Sequence, residues 1–208
     1  MGSEAESYQY HDSGLGHHHA YLLPAIERIL TEFPWASGPK RIFELGCGNG
    51  AVANHLTALG YELTGIDPSK EGIQWANRSF PKLNLKEGSA YDDLASVYGT
   101  FPMVLSLEVI EHLYDPRKFA TNLKALTAPG GWAVVSTPYH GYWKNLALSV
   151  AGKWDEHHSP LWDHGHIKFW SVPSLIGLLS EAGFKDIRIK RVGRIPSLAK
   201  SMIAIART

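Results

Sequence analysis

One cysteine in 208 residues leaves no room for an internal disulfide or for a metal site made of thiolates alone. An excess of charge of either sign is also missing, with 20 Lys and Arg against 20 Asp and Glu. Without a cationic surplus there is nothing to hold a phosphate backbone, so nucleic acid is not expected as a partner. No apolar run approaches the roughly 20 residues that cross a bilayer. The opening MGSEAESYQYHDSG is polar and has no apolar signal core. The expectation is a soluble, cytoplasmic chain. Internal repeats and low-complexity linkers are absent too, and the length suits one sizeable core, so residues 1–208 read as one domain.

What is present is ordinary in bulk and uneven in distribution. Hydrophobic residues make up 44% and charged residues 19%, a globular composition. Of 11 histidines, four lie in His11–His19 and five in His140–His166, and the second window also holds Trp143, Trp154, Trp162 and Trp170. Imidazole and indole groups gathered in this way line pockets or cover half-buried surface. Residues 1–19 therefore read as an N-terminal cap and 138–170 as an insertion beside an acceptor site.

Between these windows, short apolar runs alternate with helical patterns. Helices are predicted over 20–32, 49–59, the segment around Ile73–Ala76, and 116–126, with strands at 41–45, 61–66, 83–87, 103–107 and 132–136. The APGG ahead of Trp132 reads as a turn. Parallel strands need crossovers of this kind, which place helices on both faces of the sheet. After the insertion come a serine-capped helix over 171–182 and two strands, 184–192 and 201–206, with no helix between them. That spacing makes the last two an antiparallel pair. The expected fold is a Rossmann-like, doubly wound α/β sheet of seven strands, mostly parallel with one antiparallel strand.

The segment Glu44-Leu-Gly46-Cys47-Gly48-Asn-Gly50 falls where the first strand meets a helix. Glycines there accept positive φ and let a ligand approach the backbone, and the helix start offers free amides. Asp67 ends the second strand 21 residues after Gly46, placed to accept ribose hydroxyls. A glycine turn with an acid at that distance indicates an adenosine-type ligand. A dinucleotide fold would place its third glycine one residue later than Gly50. Glu44 would repel a pyrophosphate and attract a sulfonium and an ammonium group, which favours S-adenosylmethionine over a nicotinamide cofactor. A nicotinamide-dependent oxidoreductase and a non-catalytic cofactor-binding protein are the rival readings. Cys47 inside the turn is explained by its small size.

These segments resemble the class I S-adenosylmethionine-dependent methyltransferases, and within them the branch containing the ubiquinone-biosynthesis O-methyltransferases. The matching stretches are FELGCGNG (43–50), GYELTGIDPS (60–69), SLEVIEHLYDP (106–116), LKALTAPGGWAVVSTP (123–138) and HIKFWSVPSLIGLLSEAGF (166–184). The resemblance implies methyl transfer from S-adenosylmethionine, leaving S-adenosylhomocysteine, to a small-molecule acceptor, an aromatic or quinol-like oxygen first and a nitrogen or carbon second. It implies that Glu44, Gly46, Cys47, Gly48 and Gly50 wrap the methionyl end. Asp67 would take the ribose with Pro68 and Ser69 beside it, Ser89 and Ala90 the adenine, and Leu107 and Glu108 would lie behind the methionyl part. Two positions depart from the family pattern: Ser89 and Pro102 stand where aspartate is usual.

Ligand crevices of parallel sheets lie at the carboxyl ends of strands. There His112, in Glu108-Val-Ile-Glu111-His112, is the candidate general base for a phenolic oxygen. His140 after the fifth strand is the second candidate. Bracing of the next helix is the bland alternative for Glu111 and His112, which with Glu108 could also ligate a divalent metal. No metal is predicted. Tyr139, Tyr142, Trp143, Trp162 and His166 are expected to wall the acceptor pocket, with Tyr8, His11 and His18 closing from the N-terminus. A zinc cluster of His157, His158, His164 and His166 is compatible with spacing, but a metal-free cover is preferred. From Lys185 to Thr208, seven cations face only Asp186, a pattern that protects a sheet edge or touches anionic lipid. Oligomeric state is left open.

Overall fold

The computed structural model describes residue 10, residues 12–163 and residues 165–208. Tyr8, His11 and His164 lie outside the described residues. The elements run α1 (His19–Glu32), β1 (Arg41–Leu45), α2 (Ala51–Ala58), β2 (Glu62–Asp67), α3 (Lys70–Ser79), β3 (Asn84–Glu87), α4 (Leu94–Tyr98), β4 (Phe101–Leu107), α5 (Pro116–Leu126), β5 (Thr127–Pro138), α6 (Tyr142–Val150), α7 (Trp154–His158), α8 (Val172–Glu181), β6 (Lys185–Val192) and β7 (Ser201–Arg207). Together the strands form one seven-stranded sheet in the order β3-β2-β1-β4-β5-β7-β6. Only β7 opposes the rest, pairing antiparallel with both β5 and β6. The expected architecture is present.

Local chemistry accounts for the element ends. Ser69, Asp115 and Ser171 cap α3, α5 and α8 through their side-chain oxygens, each satisfying an amide that the first helical turn leaves unpaired. Each sheet face buries its own apolar stripe. Leu22, Ile26, Leu30, Leu56 and Ile73 pack with α1, α2 and α3 on one side, and Phe119, Leu123, Leu175 and Leu179 pack with α5 and α8 on the other. The chain winds outward from β1 to β3 and then returns to β4 beside β1. That reversal opens a crevice at the carboxyl ends of β1 and β4.

Three features differ from the sequence expectation or add to it. The fifth strand starts at Thr127 rather than Trp132 and runs through the APGG stretch, where Gly130 takes φ +74°. Its ladder with β4 slips between Phe101 and Met103, at Pro102, which has no N–H to donate. The five-residue helices α4 and α7 are too short to leave a periodic signal. Finally, β7 inserts between β5 and β6, so the basic strand β6 is the sheet edge. Its cations find partners: Arg188 lies 5.1 Å from the Trp132 ring centroid and Lys190 Nζ lies 3.5 Å from Glu32 Oε2. No helix among the described residues is long and apolar enough to cross a membrane.

Gly50 combines both glycine arguments in one residue. Its φ is +77°, and an added Cβ would sit 2.9 Å from Ala76 Cβ and 2.8 Å from Leu85 Cδ1. The turn therefore packs against α3 and β3 only if this position has no side chain. Left-handed strain of about 1–2 kcal/mol and overpacking of about 1–3 kcal/mol act together here. Gly50→Ala is expected to lower unfolding free energy by about 2–4 kcal/mol in urea titrations; a loss under about 0.5 kcal/mol would contradict this packing.

Candidate active site

The turn after β1 is folded back onto β2. Gly46 and Cys47 N–H groups both donate to Ile66 O, at 2.8 and 2.9 Å. Gly48 N–H donates to Asp67 Oδ2 at 2.9 Å, and Ser69 N–H donates to Asp67 Oδ1 at 2.8 Å. Asp67 is thus oriented by the peptide groups on either side of it. An added Cβ at Gly46 would strike Val109, and one at Gly48 or Gly72 would strike the Tyr10 ring, which lies across the gap between those two glycines. The N-terminal segment is fastened there by Asn49, whose Nδ2 donates to Asp12 O (2.9 Å) and Gly14 O (3.0 Å).

Glu44, one residue from the end of β1, is buried, and its Oε2 has no hydrogen-bond partner among the described residues. Burial, and then the negative charge of Asp67, push its carboxyl up to about 8. Burial raises Asp67 to about 6, against the pull of its two amide donors. Two carboxyls held this close, with one left unpartnered, form a donor set that a cationic ligand completes. The glycines keep the backbone open beside them. These residues fit the positively charged end of S-adenosylmethionine. The Cys47 thiol is pushed well up by burial, then by Glu44 and Asp67, which makes it a poor nucleophile. Pro68 is exposed, Ser69 Oγ accepts from Gly72 N–H at 3.1 Å, and Ser89 Oγ accepts from Tyr91 N–H at 3.1 Å. Ala90 is buried beside Ser89, and its carbonyl accepts from Asn122 Nδ2 at 2.8 Å.

Across the crevice, β4 ends at Leu107, and Glu108 follows with φ +55°. That backbone turns its carboxyl inward, where Oε1 accepts from Ser136 Oγ (2.8 Å) and Oε2 from Ser201 Oγ (3.3 Å). Ser201 Oγ is in turn 3.2 Å from Tyr21 Oη. A polar chain thus links α1, β7, β5 and the tip of β4. Burial lifts Glu108 to about 7 against these hydrogen bonds and Lys144. Glu111 is raised well above the carboxylate range, by burial first and then by Glu108. The insertion is tied to this point, because Ile167 and Lys168 N–H both donate to Glu111 O at 2.9 and 3.0 Å. The His112 ring stands 4.9 Å from His166 and 6.4 Å from Trp162. His166 Nε2 is 4.0 Å from Glu111 Oε1, and burial followed by His112 lowers its imidazole to about 4.

A second imidazole group forms around His140, whose backbone N–H donates to Trp170 O at 3.1 Å. The His158 ring stacks on it at 5.6 Å, and His157 lies 6.0 Å away. The second histidine window therefore divides: His166 joins Glu111 and His112, while His157 and His158 join His140. In each trio the candidate donor atoms lie within 4.8 Å of one another. Other expected wall residues are placed differently. Tyr139 is buried, its hydroxyl 3.4 Å from Arg191 Nη1. Tyr142 and Trp143 pack edge to face at 5.2 Å and are 73% and 63% exposed. His18 stands at the start of α1 against His19, 4.0 Å between rings.

Sequence reasoning did not single out Tyr21, Ser136, Ser201 or Lys144. Their signals are weak in sequence, since each reads as an ordinary member of a strand or amphipathic helix. Lys144 is lowered to about 8, chiefly by burial, and its Nζ donates to Tyr139 O at 2.9 Å.

Glu44 costs the ligand-free fold stability. Its folded-state pKa of about 8 lies above the unfolded value of about 4.3, so stability declines as pH rises between the two. Glu44→Gln should therefore raise Tm by a few degrees at pH 8, at about 2–4 °C per kcal/mol, with a smaller gain at pH 5. A lower Tm at pH 8, read by calorimetry, would show that the carboxyl is compensated.

Residues 16–189 match the family model described as a methyltransferase domain. The chain is 28% identical over 157 residues to a protein of Paraburkholderia phymatum named ubiquinone biosynthesis O-methyltransferase, covering 74% of this chain and 68% of that one. A protein of the same name from Cereibacter sphaeroides is 29% identical over 171 residues, covering 77% and 69%. A solved structure described as a SAM dependent methyltransferase from Archaeoglobus fulgidus shares the fold at TM-score 0.64 and 18% identity, covering 90% of this chain and 93% of that one. The family match removes the nicotinamide alternative. With its glycine turn, its unpartnered Glu44 and a family model spanning most of its length, the chain belongs to the methyltransferase-domain family and is an S-adenosylmethionine-dependent methyltransferase.

Proposed function

We propose that this enzyme methylates an oxygen of a small aromatic, quinol-like acceptor, with His112 taking the acceptor's proton. One observation carries this reading: His112 stands one turn after Val109, whose side chain abuts Gly46, and its ring meets that of His166 at 4.9 Å with Trp162 alongside. A proton acceptor and an aromatic wall thus adjoin the glycine turn. The relatives named ubiquinone biosynthesis O-methyltransferase favour an oxygen acceptor on a ring. The 138–170 insertion, in this reading, shapes the acceptor side of a single catalytic domain.

Glu44 holds the cationic end of the cofactor, the Gly46–Gly50 turn lies along its methionyl part, and Asp67 takes the ribose hydroxyls. Ser89 and Ala90 meet the adenine. S-adenosylmethionine supplies, when bound, a methyl group on a sulfonium sulfur that an oxygen can attack in line. The protein's task is then to orient the acceptor oxygen and remove its proton, and orientation is the larger contribution, up to roughly 7–11 kcal/mol. His112 accepts the proton from the acceptor hydroxyl as the oxygen attacks. His166, neutral at pH 7, turns a ring edge to His112. Burial raises the Glu111 carboxyl well above the carboxylate range, which opposes a negative charge behind the base. Trp162 excludes water from one side.

Two experiments test these assignments. S-adenosylhomocysteine affinity, measured by calorimetry, is expected to rise by up to about tenfold per unit from pH 6 to 8, because the free carboxyl of Glu44 must give up its proton to meet the ammonium group, the one cation this thioether carries. Glu44→Gln should flatten that rise, and Asp67→Ala should weaken binding at least tenfold at every pH; an unchanged slope in the first variant would remove Glu44 from the cation site. Turnover of phenol and quinol acceptors with labelled methyl donor should fall about a hundredfold in His112→Ala while S-adenosylhomocysteine Kd stays within twofold. Full activity of that variant would eliminate the base. Label found on nitrogen or carbon would refute the acceptor class.

A further inference from the structure

The His140, His157 and His158 trio is not used in the reaction proposed above, yet two distant chain segments bring it together. His140 follows the end of β5, while His157 and His158 occupy the last turn of α7. One ligand atom from each ring lies within 4.8 Å of the other two. A tetrahedral zinc with Zn–N of about 2.0–2.1 Å has ligand edges of about 3.4 Å, so side-chain rotation of roughly an ångström closes the set. Among the described residues, His158 Nε2 is buried and has no hydrogen-bond partner, an unusual state for a polar atom. Its ring is held between His140 and Trp154, at 5.6 and 4.3 Å, with Phe169 edge-on at 4.9 Å. The Asn145 side chain lies beside the His140 ring, where a metal-binding histidine commonly finds the partner that orients it.

We propose that His140, His157 and His158 form a binding site for a borderline divalent cation of the Zn2+ type, which clips α7 to the carboxyl end of β5. The donor set decides the class of ion. Three imidazole nitrogens suit zinc, and hard cations such as Mg2+ or Ca2+ require oxygen ligands. Three protein ligands also leave a fourth position for water or another oxygen, as in catalytic rather than purely structural zinc sites. Lys144 and Arg194 oppose a doubly charged ion from nearby. The Lys144 ammonium is turned to the Tyr139 carbonyl and faces Glu108, which offsets part of that repulsion. Binding of the ion does not depend on which acceptor is methylated.

The test uses the full chain stripped with EDTA and titrated with Zn2+ against a chromophoric chelator, with Mg2+ as the control ion. One Zn2+ per chain, no competition from Mg2+, and an intense visible spectrum of four-coordinate Co2+ are expected. His157→Ala should weaken Zn2+ binding at least tenfold, and His157→Ala with His158→Ala should abolish it. Far-UV circular dichroism and S-adenosylhomocysteine affinity should stay at wild-type levels, since neither residue contacts the nucleoside site. His166→Ala, which alters only the Glu111 trio, should leave Zn2+ affinity within twofold. Absence of stoichiometric Zn2+ binding, an unchanged affinity in the double variant, or a loss confined to His166→Ala would each overturn the assignment.

Discussion

A carboxyl group buried without a cation is the constraint around which the rest of this molecule is arranged. Glu44 sits at the tip of the central strand, unpartnered at Oε2 and pressed by Asp67. A fold that served stability alone would replace it with an apolar or amide residue. Keeping it places electrostatic stress at the carboxyl end of β1, beside the glycine turn. The glycines around it share that logic, because Gly46, Gly48 and Gly50 all hold positive φ and leave the backbone bare beside the charge. Strain and desolvation are therefore gathered at one strand end, while the two apolar layers supply the stability that tolerates them.

Much of this was readable in the residues. Alternating strand and helix patterns gave the parallel sheet, and the absence of a helix between residues 192 and 201 gave the antiparallel pair. The glycine turn and Asp67 stood out because few residue types can occupy such positions. Gly50 is an instructive case: its offset from the dinucleotide pattern spoke against a nicotinamide cofactor, yet in the fold it packs the turn against Ala76 and Leu85, the same packing task given to the third glycine of that pattern. What sequence could not provide was long-range pairing. Tyr21 and Ser201 meet across 180 positions, and Ser136 faces Glu108 from a strand that reads as core throughout. The division of the histidines into two trios likewise depends on where α7 lands, and five residues carry too little periodicity to place it.

The two faces of the crevice differ in kind. Around the glycine turn, partners are mostly peptide groups of the sheet, with Glu44 and Asp67 the buried acids among them. Around Glu108, Glu111 and His112 they are imidazoles, an indole and buried acids, whose protonation answers to their neighbours: Glu108 is raised to about 7 and His166 is lowered to about 4. Val109 against Gly46 is where the two faces touch.

The Tyr10 ring rests on the bare backbone of Gly48 and Gly72, and Asn49 anchors the strand of chain behind it through the carbonyls of Asp12 and Gly14. A molecule that settles against those two glycines competes with that ring for the same volume.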